Sequence, residues 1–324
     1  MKMAIRPADL KTILHSKRAN LYYLHYCRVL VNGGRVEYVT EQGMQSLYWN
    51  IPLANTTAIL LGTGTSITQA AMREFARAGV LVGFCGGGGT PLYSGNEVDI
   101  AVSWLTPQSE YRPVQYLQQW VSFWFEAPKR LQAAKLFQQV RLALVTKSWT
   151  SRQMKQQSFL ANTATLSQLM AEKNQQIRDS ETHTQLMLHE ASMTKALYKM
   201  AAQAVDYHGF TRCKRGQGSD TVNQYLDQGN YLAYGLAATA AWVLGLPHGL
   251  AVMHGKTRRG GLVFDIADLV KDALILPQAF ISAMAGDDEQ EFRQQCLTHF
   301  QTYGALDLMI DTLQQVAEQL GTEQ

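Results

Sequence analysis

The chain has 324 residues, 46% hydrophobic and 17% charged, with a formal net charge of +3. That is enough apolar material for one large domain or two ordinary ones, and too few charges for a disordered chain. The mild positive charge leaves nucleic acid open as a partner only through local basic patches, because the global field is weak. The four cysteines, Cys27, Cys85, Cys213 and Cys296, lie far apart and form no CxxC pair, which argues against a disulfide framework or a structural zinc site and fits a reducing, cytoplasmic compartment.

The first hundred residues read as β-rich. After a short helix expected over Pro7 to Ala19, NLYYLHYCRVLV and RVEYVT flank Asn32-Gly33-Gly34, a hairpin signal because a tight turn there needs positive φ. SLYWNI reads as a further strand. TAILL, the turn GTGTS, the helical pattern ITQAAMREFARAG and the strand VLVGF make one β-α-β unit. Gly86 to Gly89 is expected to be a loop, with PLYS as a last short strand. Ser103 to Pro113, with two prolines, is the natural linker.

From there the pattern is helical nearly to the end. Helices are expected over Arg112 to Phe125, Pro128 to Gln157, Thr163 to Lys173, Thr184 to Tyr207, Thr221 to Leu244, Asp265 to Met284, Glu289 to Tyr303 and Ala305 to Leu320. Asn174 to Thr184 and Cys213 to Asp220 read as polar connections. The stretch YLAYGLAATAAWVLGL, Tyr231 to Leu246, is too short for a membrane span and reads as a buried helix whose small residues allow close packing. The expected class is α+β: a small β-rich domain over 1–102, a linker over 103–113, and a larger all-helical domain over 114–324.

LLGTGTSITQAA has the outline of a phosphate loop between a strand and a helix. A dinucleotide fingerprint needs a third glycine where Ile67 stands, and an acid about twenty residues on, where VLVGFCGG has none. The Gly-Lys-Ser/Thr of a Walker loop is also missing. The stretch therefore reads as a tight turn with Ser66 or Thr65 as the helix N-cap.

The acids and histidines of HGKTRRGGLVFDIADLVKD are more informative. Asp265 and Asp268 stand i,i+3 on one face of a helix. Asp265, expected in the first turn, is explained by the helix dipole, and Asp272 reads as part of a solvated face. Asp268 is set among Leu262, Val263, Phe264, Ile266, Ala267, Leu269 and Val270, and a carboxylate drawn toward a core must be paired or bound to a cation. His254 lies fourteen residues upstream in the glycine-flanked HGLAVMHGK. A histidine with one or two carboxylates and open positions is a divalent-metal arrangement. Glu190, in TQLMLHEASMTKALYKMAA, lies on the apolar side of its helix and is the best candidate for a third ligand.

Taken in order, LLGTGTSIT, HEASMTKALYK, NQYLDQGNYLAYGL, LGLPHGLAVMHGK and LVFDIADLVKD resemble the CRISPR-associated integrase, the metal-dependent DNA nuclease of the CRISPR adaptation complex, with the type I-F branch most similar. The resemblance covers essentially the whole chain. It implies a β domain used for a two-fold dimer and a helical domain holding the active site. The implied metal ligands are Glu190, His254 and Asp268, with Asp265 as an accessory acid beside them. Tyr198 falls where the family often has a tyrosine, with packing as the other reading. The implied cofactor is Mn2+ or Mg2+. The implied partners are double-stranded and branched DNA, a second copy of the chain, and a second CRISPR-associated adaptation protein, joined in the resembling subtype to a helicase-nuclease. No membrane is involved.

Lys256, Arg258 and Arg259 then read as phosphate clamps beside the metal, and Arg212, Lys214 and Arg215 as a second basic cluster that either touches DNA or is exposed loop. The rival expectation is a helical DNA-binding scaffold subunit without catalysis, in which Glu190, His254 and Asp268 are structural ion pairs.

Overall fold

A computed structural model of the chain describes residues 20–42, 45–85, 103–105, 113–213, 220–254 and 260–321. The chain divides into two compact units, Met1–Arg112 and Pro113–Gln324. The expected helix over Pro7 to Ala19, the Gly86 to Gly89 loop and the PLYS strand lie outside the described residues.

Among the described residues the N-terminal unit carries two four-stranded sheets. In the first, β1 (Asn20–Leu24), β5 (Thr56–Leu61) and β7 (Leu81–Phe84) run parallel, and β8 (Ser103–Leu105), in the segment expected as linker, adds antiparallel to β7. In the second, β2 (Arg28–Asn32), β3 (Arg35–Gln42) and β4 (Gln45–Asn50) form an antiparallel meander. β6 (Ser66–Ile67) pairs parallel with β2. The text NLYYLHYCRVLV thus supplies strands to both sheets instead of one hairpin arm. The break falls at Tyr26, whose φ is 47° and whose N–H donates to the Thr63 carbonyl at 2.9 Å. The β2–β3 turn is as expected: Gly33 and Gly34 have φ of 56° and 79°, with Asn32 opposite Arg35.

The glycines of GTGTS are explained by tyrosines. A Cβ on Gly62 would stand 2.6 Å from the Tyr23 hydroxyl, and one on Gly64 would stand 2.5 Å from the Tyr26 ring. The helix that follows, α1 (Gln69–Ala78), is capped by Thr68, whose hydroxyl accepts from the Ala71 N–H, and not by Ser66 or Thr65. Ser66 is in β6, and the Thr65 hydroxyl donates to the Leu24 carbonyl.

The C-terminal unit is helical: α2 (Val114–Trp124), α3 (Ala127–Trp149), α4 (Arg152–Gln156), α5 (Thr163–Asp179), α6 (His183–Ala204), α7 (Thr221–Val243), α8 (Gly261–Val270), a π-helical segment (Lys271–Ile275), α9 (Leu276–Ala285), α10 (Glu289–Thr302) and α11 (Ala305–Leu320). The helix expected from Pro128 to Gln157 is two, because Ser151 caps α4 with its side chain. The helix from Thr163 runs to Asp179, into the expected polar connection.

The Ala- and Gly-rich stretch Tyr231 to Leu246 lies mostly in α7, whose later half is almost wholly buried in the bundle. Among the described residues no helix is long and apolar enough to cross a membrane. Small side chains let the π segment approach α7: a Cβ on Gly229 would lie 2.5 Å from Ile275 Cγ2 and 3.1 Å from Phe292 Cζ. Gly229→Ala is therefore expected to lower the stability of the chain by about 1–3 kcal/mol, although alanine is the better helix former. Urea denaturation checks this, and an unchanged unfolding midpoint would contradict it.

Candidate active site

The site is assembled on α8 and the loop before it. α8 begins at Gly261 after Gly260 in the left-handed region, φ 76°. Asp265 is therefore past the first turn, and the helix dipole is not what places it. Its carboxylate instead binds the preceding loop. Oδ2 accepts from the N–H groups of Val252 (2.7 Å) and Met253 (3.0 Å), while Oδ1 accepts from the His254 N–H (3.1 Å) and pairs with its Nδ1 (2.7 Å).

The carbonyls of the same loop are taken by distant side chains. Trp120 Nε1 donates to Leu250 at 3.0 Å, Trp124 Nε1 donates to Ala251 at 2.7 Å, and His183 Nε2 lies 3.0 Å from the Val252 oxygen. Both edges of a buried irregular segment are thus satisfied, as the cost of orphaned backbone groups requires. With Asp265 accepting from Nδ1–H, the imidazole of His254 carries its lone pair on Nε2, the arrangement common in metal-ligating histidines. Burial disfavours charge on this ring, but the hydrogen bond to Asp265 and the charges of Asp268, Asp265 and Glu190 outweigh it and raise the pKa.

Asp268 is 6% exposed. Its Oδ1 is held by Lys271 Nζ at 2.5 Å, and its Oδ2 lies 3.9 Å from His254 Nδ1. Burial alone would raise its pKa, yet Lys271, Arg141 and His254 bring it down to about 2. Lys271 also lies over the Tyr234 ring, 5.3 Å from its centroid.

Asp272, expected on a solvated face, is 5% exposed and buried against α3. The reason is Arg141, a buried arginine in the apolar text of α3, whose Nε and Nη2 both donate to Asp272 Oδ2. Nη2 also donates to Thr194 Oγ1 at 2.9 Å, and Nη1 donates to Glu190 Oε1 at 2.8 Å and Gln138 Oε1 at 3.3 Å. The guanidinium stays charged, since Asp272, Glu190 and Asp268 raise its pKa against the opposing effect of burial. Burial pushes the Asp272 carboxyl above its ordinary value, while Arg141 pulls it down.

The π-helical segment that carries Lys271 and Asp272 is braced by the end of α3. Trp149 Nε1 donates to the Asp272 carbonyl at 3.0 Å and Ser148 Oγ donates to the Ala273 carbonyl at 2.9 Å. Such single-turn π segments leave backbone groups in need of partners and are frequent at functional sites.

Glu190, His254 and Asp268 line one cavity of about 140 Å³, together with Arg141, Thr194, Tyr198, Asn230, Phe264, Lys271 and Asp272. Two carboxylates and an imidazole are a donor set suited to manganese or magnesium. The three do not form a finished shell: among the described residues no three His, Cys, Asp or Glu side chains stand close enough to grip an ion as they are. Each acid is instead half engaged. Arg141 and Thr194 both bond Glu190 through Oε1, and Lys271 takes Asp268 through Oδ1. In the cavity lining Asp268, Asp272 and Glu190 are set against Arg141 and Lys271, a surplus of negative charge that a bound cation would offset, while Asp265 stands behind His254.

Sequence reasoning missed Arg141, Thr194, Lys271 and the carbonyl-binding Trp120, Trp124 and His183. The one available signal was an arginine amid FQQVRLALV. Arg212, expected either to touch DNA or to lie in an exposed loop, pairs with Asp227 and donates to Asn223 Oδ1 at 2.7 Å. An acid one and a half turns into α7 occupies its guanidinium. Tyr198 is partly buried, with its ring 5.8 Å from that of Phe210 and its hydroxyl interacting with Arg212; loss of solvent raises its pKa. Lys256, Arg258, Arg259, Lys214 and Arg215 lie outside the described residues.

Asp265→Ala would leave three backbone donors and Nδ1 without their acceptor. It is expected to cost about 1–3 kcal/mol and to deprotect the amides of Val252, Met253 and His254 in hydrogen exchange. Protection equal to that of the unsubstituted chain would show that the loop is held from its carbonyl side alone.

Comparison with known proteins agrees with this architecture. Residues 25–281 match the family model described as CRISPR associated protein Cas1. A CRISPR-associated endonuclease Cas1 from Pectobacterium atrosepticum is 65% identical over 321 residues, covering 99% of this chain and 98% of that one. One of the same name from Pseudomonas aeruginosa is 64% identical, covering 97% of each.

Among solved structures, a TtCas1–DNA complex aligns with TM-score 0.63 at 21% identity, covering 93% of both chains. A casposase bound to integration product aligns with TM-score 0.68 at 12% identity, covering 94% and 92%. A partial Cas6-RT-Cas1–Cas2 complex aligns with TM-score 0.60 at 13% identity, covering 93% and 95%. The matched residues exceed half of the chain and the relatives are similar along nearly all of it, so the chain belongs to the Cas1 family of CRISPR-associated proteins.

Proposed function

We propose that this chain is a divalent-metal-dependent DNA endonuclease and integrase that inserts captured DNA fragments as spacers into a CRISPR array, in antiviral defence. The observation that carries the reading is the presence of Glu190, His254 and Asp268 on one small, net acidic cavity. The names of the relatives from Pectobacterium atrosepticum and Pseudomonas aeruginosa, both CRISPR-associated endonucleases, support it.

Glu190 and Asp268 through their carboxylates, and His254 through Nε2, would hold the ion. When bound, manganese or magnesium supplies Lewis-acid polarisation of a phosphodiester and activation of the incoming oxygen. Asp265 keeps the His254 ring turned and in one tautomer. Lys271 places a cation where phosphate charge would gather. Attack by water gives cleavage, and attack by the 3′-hydroxyl of a second DNA gives strand transfer. The same residues serve both, and the geometry of the DNA selects between them.

Double-stranded and branched DNA are the proposed substrates, in line with the DNA-bound and product-bound structural neighbours. Lys256, Arg258 and Arg259, and Lys214 and Arg215, are proposed phosphate contacts. A homodimer through the β-rich unit is supported by β4, the outer strand of its sheet among the described residues, which exposes Tyr48 and Trp49. The second adaptation protein, in a form joined to a helicase-nuclease, is the proposed protein partner, and the neighbour solved in a Cas1–Cas2 complex is consistent with it. The cytoplasm is the proposed place of action.

His254→Ala and Asp268→Asn are expected to abolish Mn2+-dependent cleavage and integration of DNA in a gel assay, with the circular dichroism spectrum of the fold retained. Undiminished activity of both in the presence of a chelator would overturn the metal-dependent reading of this site. Neutralising Lys256, Arg258 and Arg259 together is expected to reduce the slope of log affinity against log salt by about 3. An unchanged slope in a filter-binding titration would remove them from the DNA interface.

A further inference from the structure

We infer that Asp272 is a positioning residue: its buried carboxylate balances the charge of Arg141 and so keeps Glu190 available to a cation. The inference rests on the proposed role of Glu190. Arg141 presents its donors to two acids at once. Asp272 Oδ2 accepts from Nε and Nη2, whereas Glu190 receives one arginine hydrogen bond, from Nη1 to Oε1. The Thr194 hydroxyl donates to that same Oε1 at 3.1 Å. Both bonds therefore fall on one oxygen of Glu190, and Oε2 is the oxygen left for a ligand on the cavity that it shares with His254 and Asp268.

The side chain of Arg141 is only 3% exposed, so water cannot offset its charge. Without Asp272, the same guanidinium would have Glu190 as its one directly bonded anion. It would compete with an incoming ion for that carboxylate, as one buried charge left without its partner does. Asp272 is suited to this work by its place in the π-helical segment. Its backbone carbonyl is fixed by Trp149 Nε1 from the same helix that carries Arg141, so acid and guanidinium are held by one rigid element.

A charge-balancing role and a direct ligand role for Asp272 make opposite predictions when Arg141 is removed with it. The test is titration of the full-length chain with Mn2+, following free Mn2+ by electron paramagnetic resonance, with far-UV circular dichroism reporting the fold. Asp272→Asn is expected to raise the Mn2+ dissociation constant by about tenfold or more. The double variant Arg141→Met, Asp272→Leu, which deletes both charges and leaves Thr194 on Oε1, is expected to bind Mn2+ within about threefold of the unsubstituted chain.

A double variant as weak as Asp272→Asn, or Asp272→Asn binding as the unsubstituted chain does, would overturn the inference. If Asp272→Asn does not fold, the double variant decides by the same thresholds, because replacing a buried ion pair with apolar side chains of similar volume is commonly tolerated. Glu190→Gln separates this from the underlying reading. Mn2+ binding undiminished in that variant overturns the role of Glu190 as a ligand, and absence of Mn2+ binding by the unsubstituted chain overturns both.

Discussion

One carboxylate, that of Asp265, holds the loop on which the site depends. Three successive backbone N–H groups and the His254 ring nitrogen converge on its two oxygens. An irregular segment can enter a helical core only if its backbone polar groups are met. Here the N–H edge is met by α8 and the carbonyl edge by Trp120, Trp124 and His183 from α2 and α6. The loop that carries His254 is consequently held by three separate elements of the unit, and the ring is turned by the same acid that anchors its backbone. The arrangement explains why an apolar helix start carries an acid at a position where the helix dipole has no use for one.

The second constraint is the handling of buried charge. Three acids line the cavity, and two cations meet Glu190 and Asp268 at one oxygen each. Buried charges are tolerated when every one has a partner, and they become costly when one partner is lost. The structure uses a local defect to meet that requirement. The π-helical winding at Lys271–Ile275 brings an ammonium and a carboxylate toward the cavity, while α3 takes up the carbonyls that the winding leaves over. The result is a site rigid in its backbone and divided in its electrostatics, with an acidic surplus facing the cavity.

Much of this was legible in the chain itself. Asp268 amid seven apolar neighbours, and Glu190 on the apolar side of its helix, announce carboxylates that need partners, because no other physical reason places an acid there. The Gly33-Gly34 turn and the burial of the Ala- and Gly-rich α7 follow from local stereochemistry and from length. Asp272 was misread because helical periodicity says which residues share a face but not what that face meets. Its partner, Arg141, lies 131 residues upstream in the chain. The pairing of Arg212 with Asp227 was hidden for the same reason, since the partner lies fifteen residues further along the chain. The turn GTGTS imitated a phosphate loop because small residues are required both by a bound phosphate and by an intruding side chain, and here the intruders are Tyr23 and Tyr26.

By itself the amino-acid sequence determined the class of fold, the order of β-rich and helical units, and the residue types able to hold a divalent ion, since these depend on composition, period and turn chemistry. Tertiary structure alone decided which acids carry which duty. Asp265 became the anchor of a loop and Asp272 the partner of an arginine, while Arg141 and Lys271 each engage one oxygen of Glu190 and Asp268. The physical reason is that a buried carboxylate takes its role from the donors that reach it, and those donors come from helices distant in sequence.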